Sequence, residues 1–218
     1  DSPALKSISK VISPQSVATS ESLELIEAVA TRWAAHPFDI LRSAIPPRVA
    51  SIDKQSFPKL QVRPSTNKAR RSYIQIPPVV NRFDFIASTI SNLPSRGSTL
   101  IVLPDSNSAH RLQKMIEGSI LLDSTLERSE RYSNFLRIRN GENLVVIGTR
   151  SAIFAPLAGL SAIYIVDEGS ENHYEVRTPG WNVRDVAILR SMRAAISLHF
   201  IGYSPSSEIA RLIESRWL

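Results

Sequence analysis

The 218-residue chain has no cysteine, which excludes disulfides and any cysteine-bound zinc within it. It has only eight glycines, and none falls in residues 1–96. A glycine-rich loop presenting backbone N–H groups to phosphates is therefore missing from that stretch in its usual form. No run of about 18 apolar residues exists, so no transmembrane helix is expected. The amino terminus at Asp1 lacks the basic-then-apolar pattern of a secretory signal. Histidine is as sparse: His36, His110 and His199 stand alone, and His173 has no second ligand at metal spacing. No metal site is expected here. A nucleophile elbow and a dinucleotide fingerprint are also missing, which disfavours a serine hydrolase or a nicotinamide enzyme. The absence of cysteine fits a cytoplasmic protein. A chain that starts without methionine and stops inside the helical pattern of residues 206–218 is expected to be a piece of a longer one.

The net charge of +6 is concentrated. Between Arg48 and Arg82 lie eight basic residues, Arg70 and Arg71 among them, against one acid, Asp53. A local excess of this size fits a polyanion partner, although a solvated linker has the same composition. Residues 1–47 hold two helical patterns, one opening at Thr19 or Ser20 and one over Phe38–Ile45, and form a small N-terminal appendage. Residues 48–72, polar and punctuated by proline, are predicted to be a basic linker.

From Tyr73 to the end, strands and helices alternate. Apolar runs predict strands at Tyr73–Ile76, Thr99–Leu103, Ile120–Leu122, Leu144–Ile147, Ala162–Val166 and Ser197–Ile201. Helical patterns lie over Phe83–Leu93, Ser106–Glu117, Leu126–Arg139 and Asn182–Ala195. Continuous apolar strands alternating with helices predict an α/β domain over 73–218, with a parallel sheet covered on both faces.

Chemistry in such a sheet belongs at the carboxyl ends of its strands. One strand ends in Gly148-Thr149-Arg150-Ser151, whose hydroxyls and guanidinium suit phosphate oxygens. Another ends in Asp167-Glu168, a pair that suits magnesium and a polarised water, or equally a helix cap. The loop from Glu171 to Arg184 carries His173, Tyr174, Arg177, Trp181 and Arg184. Aromatic faces beside cations suit stacking on exposed bases, unless Trp181 and Tyr174 pack beneath the loop.

Together these segments resemble the primosomal protein N′ (PriA) family, the replication-restart helicases of superfamily two. Val146–Leu157 resembles the segment before that family's Asp-Glu-Glu-His box. Trp181-Asn182-Val183-Arg184-Asp185 is similar to its Tyr-x-Ala-Arg-Asp run, and Gly202–Ser206 stands where it has Gly-Ser-Ala-Thr-Pro-Ser. Residues 30–46 resemble the end of the family's N-terminal DNA-binding region. The resemblance implies a RecA-like, P-loop-NTPase-type sheet, the first helicase lobe, in a cytoplasmic, nucleoid-associated protein. It implies DNA as partner, forked or single-stranded, with primosome proteins and the machinery that loads the replicative helicase. The implied DNA contacts are Thr149, Arg150, Ser151, Tyr174, Arg177, Trp181, Arg184, Arg70 and Arg71.

The departures are as specific. Where the family has a Gly-x-x-Gly-x-Gly-Lys-Thr loop, this chain has Pro77-Pro78-Val79-Val80-Asn81-Arg82. Asp167-Glu168-Gly169-Ser170 keeps two carboxylates and lacks the second Glu and the His. Gly202-Tyr203-Ser204-Pro205 lacks the Ala-Thr. The family uses ATP with magnesium, and zinc bound outside this segment; no cofactor is expected here, and Asp167 and Glu168 remain only as a degenerate pair. The expectation is a DNA-binding restart protein without ATP hydrolysis. The alternatives are an active ATP-dependent 3′–5′ helicase and a protein-interaction scaffold.

Overall fold

The computed structural model describes residues 10–13, 16–57, 59, 69–92, 97–141 and 145–218. Its centre is one six-stranded, all-parallel sheet in the order β1-β6-β5-β2-β4-β3. The strands are β1 (Arg71–Gln75), β2 (Ser98–Val102), β3 (Ile120–Leu122), β4 (Val145–Gly148), β5 (Leu160–Val166) and β6 (Ser197–Gly202). This is the parallel sheet that the alternating pattern predicts. The expected helix over Phe83–Leu93 and strand over Leu144–Ile147 are present, except that Leu93 and Leu144 lie outside the described residues.

Central strands show why their sequences are mostly apolar. In β2 every residue is buried. Leu100 and Val102 point into one core, while Ile101 and the following Leu103 point into the other. Ile163 and Ile165 of β5 alternate with Tyr164 and Val166 in the same way. A strand with helices on both faces has no side on which a polar residue stays hydrated.

One face is covered by α4 (Arg82–Ser91) and α5 (Ser106–Met115) through Phe83, Ile86, Ile90, Ala109 and Leu112. The other is covered by α1 (Ser20–Arg32), α2 (Pro37–Ala44), α6 (Arg128–Arg139), α7 (Val183–Ala194) and α8 (Ser207–Glu214). The segment read as an N-terminal appendage thus shares a core with the sheet: Leu25, Ile26, Val29 and Ile40 pack with Trp181, Val186 and Leu198. Side chains close the helix starts. Thr19 accepts from Ser22 N–H, Asp105 from Ser108 N–H and Asn182 from Arg184 N–H. A buried arginine then fastens α1 to α7. Arg190, 1% exposed, forks onto Glu21 at 2.9 and 3.1 Å and donates to the carbonyls of Ile153 and Ala155.

The segment expected to be a linker is not uniform. Its first part docks on α6 through a short helix, α3 (Ala50–Asp53). Asp53 pairs with Arg48 at 2.7 Å and accepts from Tyr132 Oη, while Asn140 holds the Phe57 carbonyl. Its last residues, Arg71 and Ser72, belong to β1, which starts two residues earlier than the apolar run suggests. Pairing with β6 extends the strand outwards, because Arg71 and Ser72 lie opposite Leu198 and His199. Residues 58 and 60–68, with Arg63 and Lys68 of the basic stretch, lie outside the described residues.

Candidate nucleic-acid interface

All strands being parallel, their carboxyl ends lie on one edge of the sheet, and that edge is divided into two parts. The first surrounds the ends of β1, β5 and β6. After β1 the chain turns through Pro77-Pro78-Val79-Val80, held by a bond from Val80 N–H to the Pro77 carbonyl. Asn81 caps α4 by accepting from the N–H groups of Phe83 and Asp84. The two prolines have no N–H to offer, and the helix start already has its acceptor.

Arg82, the first residue of α4, reaches across this space. Its Nη1 lies 2.7 Å from Asp167 Oδ2 and its Nη2 donates to Ser108 Oγ at 2.8 Å. Ser108 in turn donates to Asp105, so two carboxylates are tied to one guanidinium. Burial pushes the Asp167 carboxyl above the usual range and Asp105 adds to this, against the opposing pull of Arg82. Glu168 faces elsewhere. It is 2% exposed and accepts from the backbone N–H and hydroxyl of Ser206, the residue that caps α8. Arg184 stands 3.7 Å from it. Gly202 keeps this corner tight, since a Cβ there would lie 2.9 Å from Tyr73 Oη. Burial, followed by the charges of Glu168 and Asp167, pushes the Tyr73 phenol up to about 12.

A carboxylate whose role is structural has a measurable signature. Glu168→Gln is expected to lower stability by about 1–2 kcal/mol, the range for charge-assisted bonds and helix caps. Thermal unfolding checks it: a loss of several degrees is expected. An unchanged or raised midpoint is what a strained catalytic carboxylate would give.

The second part is a cleft of about 520 Å³ at the ends of β2, β3 and β4. Four arginines line it: Arg42 from α2, Arg131 from α6, Arg150 after β4 and Arg177 from the long loop. Their placement follows from the loops at these strand ends. Asp123, wholly buried after β3, accepts from Ser106, from Thr125 and from Thr149, and so ties three loops together. Burial raises the Asp123 carboxyl, but the hydrogen bonds from Thr125, Thr149 and Ser106 outweigh it and hold it below its ordinary value.

The residues expected to contact DNA divide sharply. Tyr174 is 47% exposed and Arg177 is exposed, so both remain accessible. Ser151 accepts from Arg131 and keeps its own proton for another acceptor. Thr149 lines the cleft, but its hydroxyl proton goes to Asp123. Arg150 pairs with Glu175 at 3.1 Å and donates to the Tyr174 carbonyl, so it shapes the loop as well as lining the cleft.

Trp181 corrects the expectation of base stacking. It is wholly buried, edge-on to Phe154 with centroids 5.0 Å apart, and no base can reach its faces. His173 is buried too, donating from Nε2 to the Val166 carbonyl, and burial lowers its pKa. Arg184 is 13% exposed and shared among Glu168, Asp185 and Glu208. Its charge is met within the fold. Arg70 and Arg71 stand at the amino end of β1, on the edge opposite the cleft, and Arg71 lies over the Trp217 ring at 4.2 Å. They do not belong to the same surface as Arg150. The sequence reading missed Arg42, Arg131 and Asp123. Only Asp123 had a signal, as the first polar residue after an apolar strand.

Among the described residues no group of three or more His, Asp or Glu is placed to hold a metal ion, and no helix is long and apolar enough to cross a membrane.

Comparison with known proteins gives a consistent picture. No family model matches the chain. It is 27% identical to a probable replication restart protein PriA of Mycobacterium leprae, over 96% of this chain and 37% of that protein. It is 28% identical to the corresponding protein of Mycobacterium tuberculosis, over 96% of this chain and 36% of that one. The replication restart protein PriA of Buchnera aphidicola is 34% identical over 44% of the chain and 13% of its own length. The chain therefore spans little more than a third of the mycobacterial relatives. Among solved structures, the C-terminal domain of the DEAD-box protein Dbp5 aligns with a TM-score of 0.45 at 16% identity, covering 69% of this chain and 84% of that one. The E. coli DExH-box NTPase HrpB aligns with a TM-score of 0.42 at 17% identity, covering 72% of this chain and 20% of that one. Over nearly its whole length the chain is thus similar to the PriA replication restart proteins of the two mycobacteria.

Proposed function

We propose that the chain is a DNA-binding replication-restart protein that acts at stalled forks without hydrolysing ATP, and that it helps to assemble the primosome. One observation carries the reading: Arg82 occupies the space between Asp105 and Asp167 at the strand ends where a magnesium nucleotide would need free carboxylates. The rest of that corner points the same way. Asn81 meets the first N–H groups of α4, Pro77 and Pro78 have none, and Glu168 serves the cap of α8. The residues present do not fit the nucleotide.

The neighbouring cleft supports the other half of the reading. Phosphates need accessible cations and hydroxyls: Arg42 and Arg177 are exposed, and the half-buried Arg131 and Ser151 line the same surface. A forked oligonucleotide titrated into the purified chain tests the proposal by fluorescence anisotropy. Binding that weakens steeply with salt and ignores added ATP and magnesium is expected; ATP-driven unwinding by this chain contradicts it.

A further inference from the structure

We infer that His173 is a proton-sensitive latch: its neutral ring holds the loop from Glu171 to Trp181 closed, and uptake of one proton releases that loop without unfolding the sheet.

The position of the ring carries this. His173 is wholly buried at the end of the short helical turn Glu171–His173 that follows β5. Its Nε2 lies 2.8 Å from the Val166 carbonyl. A carbonyl only accepts, so the proton of the neutral ring sits on Nε2. Nδ1 is then an acceptor, buried and without a hydrogen-bond partner. A protonated ring has two donors, and the second would be a charged N–H inside the fold with nothing to receive it.

The surroundings give that charge no relief. Arg150 is fastened across the backbone of His173, donating from Nη1 to the carbonyls of Asn172 at 3.3 Å and Tyr174 at 2.7 Å. A second cation beside it is repelled. The carboxylates of the neighbouring segments are already engaged: Glu175 with Arg150, Asp167 with Arg82, and Glu168 with Ser206 and Arg184. Glu171 and Arg177 are exposed to water.

The loop yields before the strand does. Val166 belongs to β5, which is paired on one side with β2 and on the other with β6. The loop is closed on itself by a single bridge between Tyr174 and Asn182 and by the bond from Glu175 N–H to the Trp181 carbonyl. Local opening starts from such weakly held segments. Its direction with pH is fixed. Burial lowers the pKa of the ring below the ordinary 6.5, and Arg150 adds to this against the pull of the Val166 bond. The closed loop therefore has its full stability above that pH and loses it as the pH falls.

The test is hydrogen exchange of the intact chain from about pH 7.5 to about pH 5, each rate divided by the intrinsic rate at that pH. It is read at the Glu175 amide and, for the sheet, at the Ile101 amide in β2. Protection at Glu175 should fall about tenfold for each pH unit below 6.5, the slope for uptake of one proton, while Ile101 stays protected. His173→Gln keeps a donor for the Val166 carbonyl and takes up no proton, so its Glu175 protection should not change with pH. His199→Asn alters the half-buried ring that Ser72 holds, and the slope should remain. Should His173→Gln leave the loop open at every pH, nitrogen NMR of the wild-type ring decides: the ring must stay neutral, with its proton on Nε2, until Glu175 protection collapses. Three results overturn the inference: a slope that survives in His173→Gln, a protonated ring beneath a still protected Glu175, or an Ile101 amide that loses protection in step with Glu175.

Discussion

Replacing Arg190 with methionine is expected to lower the unfolding free energy by about 3 kcal/mol, within the range for breaking a buried pair. Its head group makes four contacts under 3.2 Å, two to Glu21 and one each to the carbonyls of Ile153 and Ala155. Methionine fills much of the volume but donates nothing. Both carbonyls belong to residues that are nearly or wholly buried, so neither gains water in return. Glu21 remains 40% exposed and stays partly hydrated, which keeps the loss at the lower end of the range. For a chain of this size the melting temperature should fall by about 6–12 °C. Glu21→Gln combined with Arg190→Met should cost less than the two separate losses added together, because the two residues act as one unit. A single-variant loss under about 1 kcal/mol would mean that α1 and α7 do not depend on this tie.

Raising salt from 50 to 200 mM is expected to weaken binding to forked DNA by about 10², if on the order of four phosphates are neutralised. The argument is the distribution of charge. Arg42 and Arg177 present unpaired cations on the cleft side beside the half-buried Arg131, and Arg70 adds an exposed one on the opposite edge. Each phosphate they neutralise releases counterions, and that release is what added salt opposes. Few base-reading groups accompany them, since Trp181 and His173 are inside the fold. Affinity that varies less than about threefold over this range would mean that phosphate contacts are not the source of binding.

The sequence told much about the sheet and little about the cleft, for different reasons. β2 and β5 were legible because a strand buried on both faces is dominated by apolar residues, as Leu100–Val102 and Ala162–Val166 are. The caps at Thr19 and Asp105 were legible because an uncapped helix start demands a short polar side chain. The proline-stiffened turn before α4 was legible from Pro77, Pro78 and the missing glycines. The meeting of Arg82 with Asp167 was not, because it is made by the packing of α4 and not by spacing. Arg190 looks in sequence like any arginine on a helix, and only the arrival of α1 buries it. Trp181 was misjudged because an aromatic in a polar loop fits base stacking and core packing equally well; contact with Phe154 decides it. Arg70 and Arg71 were grouped with Arg150 since charge alone does not say which end of a parallel strand it occupies.

Isothermal titration of the purified chain with ATP and magnesium, with thermal unfolding measured alongside, tests the central claim most directly. With Arg82 lodged between the two carboxylates, millimolar nucleotide should release no heat and leave the melting temperature unchanged. Binding at a hundred times the dissociation constant would instead stabilise the fold by about 2.7 kcal/mol, a rise of several degrees that cannot be missed. Such a rise, saturable and dependent on magnesium, would contradict the account.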